Sequence, residues 1–379
     1  MEKRVISVIL AFAVFAGAML LMGAGRKNES EEPSAYVLIE AETGTVLEEL
    51  NSHEQMNAGY LSKLMSLLLI SEDITTGKYT PQTILTAGES VRGTKGSVIW
   101  LEPGDSLSAD ELLKAVIIGN ANDALTVLAE ASEGSTEKFV MRMNSEAFDL
   151  GLRDTAFYTP YGYHDEREHT TAADIAVICA ELSRQPLLRE YFATWRDHVK
   201  NGTVELVSEN YLAHTYKKHI GFKAAHSELS GFCIAEGARS PEGTCYISVV
   251  LGAADEEAAR RTAKELCEKG FSDYKVTATM FPDEMLVPVK VRHGVDIAVE
   301  IRLREQSGLV LPRGAGELKT VAVLPEYLEA PVKKGQVIGT AAFYNGKTLV
   351  YESDIVTCGS VKELDYRYVL TQMLLKMIE

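Results

Sequence analysis

The chain is short of positive charge, and this shortage excludes one large class of partners. Its 379 residues include 38 Lys and Arg against 54 Asp and Glu, so the formal net charge at pH 7 is −16. A surface with this charge repels a phosphate backbone at long range. The sequence therefore predicts no nucleic-acid partner.

Cysteine is also scarce, which argues against a disulfide scaffold. The five cysteines are too few and too scattered for a disulfide framework or for a C-x-x-C metal site. Cys233 and Cys245 lie on consecutive strand-like runs, but the turn between these runs would place Cys245 opposite about residue 238. We expect both to be buried, small apolar side chains.

Repeats, heptads and a series of membrane spans are absent from the sequence, which excludes solenoids, coiled coils and multi-span transporters. The apolar fraction of 46% and the charged fraction of 24% are ordinary for a globular protein. A length of 379 residues exceeds what one domain usually holds, so we expect two or more domains.

One long apolar run is present, at the N-terminus. Two basic residues precede the uncharged run from Val5 to about Gly25, and two more follow it. This order is typical of an export signal, and the run is long enough to span a bilayer. We predict that residues 1–29 are a signal peptide or a retained membrane anchor, and that the protein faces the extracytoplasmic side of the membrane.

Strand and helix patterns alternate between residues 30 and 274. The segment Leu61–Ile70 is apolar except for three positions, which indicates a helix buried on nearly all sides. Lys63 is the anomaly in it, because an unpaired lysine is costly to bury. The other predicted elements are a hairpin over 35–47, antiparallel strands over 232–238 and 244–252, and a charged helix over 255–269.

A polar loop between two helices is the other notable feature of this region. Ser108 and Glu111 form a capping box that starts a helix, and this helix is expected to stop at Gly119. The following residues, Asn120–Asp123, are good cap formers and poor helix formers. We expect the helical pattern to resume at Ala124.

The composition changes near residue 275, where short alternating runs replace the helical periods. Asn345-Gly346 separates two of these runs and is a strong hairpin signal. We predict a small β-sandwich over 275–363, followed by an amphipathic helix over 364–379. The apolar stripe of this helix is compatible with a membrane surface or with packing on the sandwich.

Several short segments resemble one known family when their order and spacing are taken together. The chain resembles the D-alanyl-D-alanine carboxypeptidases, which are low-molecular-mass penicillin-binding proteins. The resemblance implies a mixed α/β (α+β) domain with an antiparallel sheet flanked by helices, a C-terminal β-domain, and a site that acts on peptidoglycan stem peptides. The segments include residues 43–47, 63–66, 96–101, 122–124, 169–174, 221–223 and 330–339.

The family's chemistry needs three motifs in one cleft, S-x-x-K, S-x-N and K-T-G. In the first, Ser and Lys share a helix face, so that the amine accepts the proton of the attacking hydroxyl. The resemblance places three segments of this chain at those motifs. They are Tyr60 with Lys63 as the catalytic pair, Asn120-Ala121-Asn122 as the second motif, and Lys223-Ala224-Ala225 as the substrate-binding strand.

All three segments have lost a hydroxyl. Loss of a nucleophile lowers catalysis on the order of a million-fold. We therefore expect a degenerate homologue that binds stem peptides, a β-lactam-like ligand or an envelope partner. The alternative is an active serine carboxypeptidase that uses Ser62 or Ser66, and a third reading is a purely structural role with the cleft closed by Tyr60.

No cofactor or metal is predicted. His164 and His169, with Asp165 and Glu166, resemble a metal cluster, but the family carries similar residues there without a metal. His226 follows the third motif and is read as an ordinary strand residue.

Overall fold

The computed structural model describes residues 33–162, 165–278, 287–304 and 308–376. The predicted N-terminal signal segment and His164 lie outside these residues. The chain divides into two compact units, of which the first ends at Gly270 and the second begins at Phe271. In the described ranges, no helix has both the length and the apolar character that crossing a membrane requires.

The first unit is a mixed α/β structure. Its strands are β1 (Ala35–Glu40), β2 (Val46–Leu50), β3 (Ile84–Thr86), β4 (Ser106–Ser108), β5 (Arg196–Val199), β6 (Val204–Val207), β7 (His219–Gly221), β8 (Ala224–Ser227), β9 (Gly231–Arg239) and β10 (Cys245–Ala253). Its helices are α1 (Lys63–Thr75), α2 (Ala109–Ile117), α3 (Asn122–Glu133), α4 (Thr136–Asp149), α5 (Ala172–Ser183), α6 (Arg189–Ala193), α7 (Leu212–Thr215) and α8 (Glu256–Asp273).

The central sheet has the order β2-β1-β10-β9-β7, and β8 also pairs with β9. Every pair in it is antiparallel. Helix α5 packs on β1, β9 and β10, and α1 packs on α5. This layering confirms the predicted fold class, an antiparallel sheet flanked by helices.

Helix α1 is buried on nearly all sides, as its sequence predicted. A 3-10 turn, Gly59–Ser62, leads into it, and every residue from Lys63 to Ser71 is buried. The capping box of α2 is also confirmed, because Ser108 accepts the backbone N–H of Glu111 while Glu111 bonds back to Ser108. These two helices carry or flank the proposed site residues.

The return strand of the first hairpin begins at Val46, inside the predicted hairpin over 35–47, and it extends to Leu50. The predicted start of the next helical segment was wrong by two residues. Helix α3 begins at Asn122, so Asn122 and Asp123 belong to its first turn rather than to a loop. The Asp123 carboxylate accepts backbone N–H groups from Ile99 and Leu101, so it holds the neighbouring segment and does not cap the helix.

Strands dominate the second unit. They are β11 (Tyr274–Ala278), β12 (Val289–Arg292), β13 (Ala298–Val299), β14 (Ile301–Leu303), β15 (Gly308–Pro312), β16 (Leu318–Val323), β17 (Tyr327–Glu329), β18 (Val337–Asn345) and β19 (Thr348–Thr357). They form sheets ordered β11-β15, β13-β12-β17 and β14-β19-β18-β16. The predicted boundary at Tyr274 falls on the first residue of β11, and β11, β15 and β17 are not among the predicted strands.

The hairpin predicted at Asn345-Gly346 is confirmed. Asn345 pairs with Thr348, and Gly346 has a φ of 63°, a conformation that glycine adopts without steric cost. Helix α9 (Tyr366–Lys376) follows this unit. Its side chains at Tyr366 and Met373 are exposed.

The cysteines are free thiols, and Cys233 and Cys245 are buried as predicted. Cys245 lies opposite Arg239 on the neighbouring strand, while Cys233 lies opposite Ala225. Burial raises the pKa of both thiols to about 11. They therefore act as small core side chains.

Gly162 packs directly against the 3-10 turn that precedes α1, and a side chain at this position would collide with that turn. This close approach leads to a first prediction. The φ of Gly162 is +72°, and a Cβ there would lie 2.0 Å from the Gly59 carbonyl oxygen. Gly162→Ala is expected to lower the free energy of unfolding by about 3 kcal/mol or more. The cost of a left-handed backbone conformation at alanine adds to the cost of the clash between its Cβ and the Gly59 carbonyl.

Gly151→Ala is the matched control, because Gly151 has a φ of +78° with nothing within 4 Å of the added atom. It should lower the free energy of unfolding by only about 1 kcal/mol. Urea unfolding of both variants measures the difference, and equal losses would contradict the close approach at Gly162.

Candidate functional site

Tyr60 and Lys63 meet, as their spacing of three residues predicted. Tyr60 lies in the 3-10 turn, and Lys63 is the first residue of α1. The Lys63 ammonium lies 4.2 Å from the centroid of the Tyr60 ring, which is half-buried. The electron-rich face of the ring therefore covers the amine that the motif would use as a base.

Asn120 is the residue that holds the Lys63 ammonium. Lys63 is fully buried, and its Nζ donates to the Asn120 backbone oxygen at 2.5 Å and to Asn120 Oδ1 at 2.8 Å. Asn120 has a φ of 58°, in the left-handed region that asparagine tolerates better than most residues. This conformation allows both of its oxygens to accept from one amine.

The Asn120 side chain also connects the lysine to a carboxylate. Asn120 Nδ2 donates to Glu209 Oε2 at 3.1 Å. A continuous polar path therefore runs from Lys63 through Asn120 to Glu209. Glu209 lies in a polar segment without a recognisable motif, so no signal in the sequence points to it.

Asn122 does not contact Lys63 among the described residues. Its Nδ2 donates to the Lys95 carbonyl at 2.6 Å, and its backbone N–H donates to the Ser97 carbonyl at 2.7 Å. Its Oδ1 is buried and has no hydrogen-bond partner in the described part of the chain. Asn122 therefore holds the 95–97 segment and keeps one acceptor for a donor group.

Lys223 is buried directly before β8, with 4% of its surface exposed. Its Nζ donates to the Val116 oxygen at 3.1 Å and to the Ile117 oxygen at 3.0 Å, at the C-terminal end of α2. Helix C-termini carry partial negative charge, which favours a cation there. Two of the three donors of this ammonium are thus used within the protein.

Burial lowers the pKa of both lysines. The pKa of Lys223 falls to about 8 because its ammonium is desolvated, against the opposing charge of Glu209. The pKa of Lys63 lies well below its ordinary value, because of desolvation first and the Lys223 charge second. An amine of this kind can accept a proton, provided that a hydroxyl lies within its reach.

The two candidate hydroxyls are buried. Ser66 is fully buried, and its Oγ donates to the Pro160 carbonyl at 2.5 Å. Ser62 is 4% exposed, and its hydroxyl lies close enough to Glu168 to oppose the rise in the pKa of that carboxyl group. Glu168 also accepts the Thr159 hydroxyl at 3.3 Å, and burial raises its pKa to about 7.

The remaining residues named from the sequence lie nearby on β8. Ala224 and Ala225 begin the strand. His226 is exposed, and its ring stacks on that of Phe232 with the two centroids 4.1 Å apart. Across the described ranges, no three His, Cys, Asp or Glu side chains meet in a group that could hold a metal ion.

Comparison with known proteins identifies this architecture as that of the penicillin-binding proteins. The fold matches penicillin-binding protein 5 of Haemophilus influenzae with a TM-score of 0.82 and 25% identity, over 89% of this chain and 100% of that one. The second unit matches the C-terminal domain of penicillin-binding protein 5 over residues 274–363.

The sequence comparison is more specific. Residues 24–255 match the D-alanyl-D-alanine carboxypeptidase family, so the chain belongs to that family. It is 28% identical to the D-alanyl-D-alanine carboxypeptidase DacF of Bacillus subtilis, covering 96% of each chain. It is 30% identical to DacC of Escherichia coli, covering 84% of this chain and 82% of that one. The expected family is confirmed.

Glu168 leads to a prediction of pH-dependent stability. Its pKa in the folded state is about 7, above the ordinary value of 4.5, so the stability that Glu168 contributes is present below pH 4.5 and lost as the pH rises through 7. Relative to Glu168→Gln, the wild-type protein should lose about 3 kcal/mol of unfolding free energy over that range.

Urea unfolding at several pH values between 4.5 and 8 measures this difference. Glu166→Gln, at an exposed position in the same loop, is the control for the chemical change. Parallel stability curves for wild type and Glu168→Gln would contradict the raised pKa of Glu168.

Proposed function

We propose that this protein binds peptidoglycan stem peptides in the bacterial cell envelope and hydrolyses them little or not at all. Family membership supports peptidoglycan as the target. The proposal assigns the nucleophile position to Tyr60, the base position to Lys63, the second motif to Asn120 and Asn122, and substrate binding to residues 223–225.

The contact between Lys63 and the Tyr60 ring is the observation that carries this proposal. In an acyl-transfer site of this kind, the amine must face the hydroxyl that attacks the substrate carbonyl. Here the amine lies 4.2 Å from the centroid of an aromatic ring and donates twice to Asn120. The Tyr60 ring also occupies space beside this amine that the substrate carbonyl would need.

The rival proposal is an active serine carboxypeptidase that uses Ser62 or Ser66. Ser66 lies in a buried helix and its hydroxyl donates to the Pro160 carbonyl oxygen, which argues against it as a nucleophile. Ser62 lies near Glu168, a carboxyl group that could act as a base near neutral pH, but the Ser62 hydroxyl is nearly inaccessible. Both serines therefore support the inactive reading better.

The proposal places the protein on the extracytoplasmic face of the membrane, with residues 1–29 as a signal peptide or anchor. Helix α9 supports a second membrane contact, because Tyr366, Met373 and Leu374 are all more than half exposed. Domain limits of 30–274, 275–363 and 364–379 complete this proposal.

Covalent labelling by penicillin separates the two main proposals. The full chain is incubated with a labelled penicillin, and its intact mass is measured. We expect no adduct, because the drug acylates the same nucleophile as the substrate and Tyr60 occupies that position beside Lys63. Tyr60→Ser is the comparison, since it returns a hydroxyl three residues before that amine.

A stable adduct on the native chain would restore the enzyme proposal, and peptide mapping at Ser62 and Ser66 would then locate the nucleophile. An adduct on Tyr60→Ser alone would assign the loss of reactivity to position 60.

Binding of a stem peptide separates the binding function from a purely structural one. Titration of the full chain with a D-alanyl-D-alanine peptide up to millimolar concentration should give saturable heat in calorimetry. Tyr60→Ala is expected to leave this binding measurable, since it enlarges the cleft. A flat titration for both proteins would favour a structural role with the second unit as the interacting part.

A further inference from the structure

A cavity of about 340 Å³ lies beside β8, at the proposed substrate-binding strand. Ala224 and Ala225 form part of its wall, while other walls come from the 195–211 region and from the start of α8. This volume is within the range of small-molecule pockets. The cavity is therefore large enough for a peptide side chain with its neighbouring backbone.

The ionisable lining of the cavity is unusual for a site that holds a carboxylate. Two carboxylates, Glu209 and Glu256, line it together with the guanidinium of Arg260 and the imidazole of His226. Both glutamates are exposed, and Arg260 is half-buried with its guanidinium 5.0 Å from the centroid of the Tyr211 ring. The lining thus has more negative than positive charge.

The two ammonium groups of the family motifs are not among the residues that line the cavity, whereas Glu209 is. Lys223 donates to two main-chain oxygens, and Lys63 donates twice to Asn120. Asn120 in turn donates to Glu209. A carboxylate that enters the cavity therefore meets the charge of Glu209 in its lining, and like charges repel.

Aromatic rings complete the lining. Trp195 and Tyr211 stand edge to face with centroids 5.1 Å apart, and both line the cavity. The faces of such rings attract cations, and Tyr211 already carries Arg260 over its ring. Carboxylates beside aromatic faces are a combination that recognises an amine.

We propose that this cavity binds its ligand through a primary ammonium group, with Glu209 as the residue that selects an amine over a carboxylate. This inference rests on the proposed function, in which the ligand is a stem peptide. The ammonium is then the free side-chain amine of a diamino residue, and the terminal carboxylate of the peptide contributes little to affinity.

Four peptides test this inference against the full chain by calorimetry. All are Nα-acetyl-L-lysyl-D-alanyl-D-alanine, with the side-chain amine free or acetylated and the C-terminus as acid or amide. Acetylation of the amine should weaken binding roughly tenfold, as expected for one partly exposed charge pair with an aromatic contribution. Amidation of the C-terminus should change the Kd by less than about twofold.

Glu209→Gln is the diagnostic variant, because it removes the charge and keeps an oxygen that can accept from Asn120. The preference for the free amine should fall to about threefold or less in this variant. Glu257→Gln is the matched control, since Glu257 is exposed on the same helix as Glu256 and is not part of the lining. The control should keep the full preference.

The possible results separate this inference from the proposed function. Binding of all four peptides with equal affinity, or binding that needs the carboxylate, would overturn the inference and leave peptide binding intact. An amine preference that persists in Glu209→Gln would overturn the role of Glu209. Failure of every peptide to bind would overturn both proposals.

Discussion

The candidate site depends on one buried ammonium group, that of Lys63. A desolvated charge costs several kcal/mol unless hydrogen bonds and opposite charge compensate it. The fold provides this compensation through Asn120, whose backbone and side-chain oxygens both accept from the amine. The left-handed conformation of Asn120 and the lowered pKa of Lys63 follow from this single requirement.

The same requirement explains why Glu209 is important. Desolvation lowers the pKa of both buried lysines, and the charge of Lys223 lowers that of Lys63 further. Glu209 opposes this lowering and is bonded to Asn120, so one exposed carboxylate offsets part of the charge of two buried amines. A carboxylate in this place also changes the charge that the neighbouring cavity presents to a ligand. The electrostatics that stabilise the site therefore also alter its selectivity.

The hydrophobic pattern of the sequence predicted the strands and helices of the first unit better than those of the second. Helix α1 and the strands β9 and β10 followed from apolar runs, because complete burial leaves few polar positions. In the second unit, β15 and β17 were not identified, since strands of three to five residues have too few positions for an alternation to stand out. The hairpin at Asn345-Gly346 was identified because its turn chemistry is local.

The sequence by itself determined the family, the fold class, and the contact of Tyr60 with Lys63, since residues three apart on a helical turn share a face. Only the tertiary structure decided which partners these residues have. Asn120 rather than Asn122 bonds to Lys63, Lys223 is buried on the end of α2, and Glu209 joins the site from 89 residues away. These contacts bring together segments far apart in the chain, and no local pattern of residues encodes the distance between such segments.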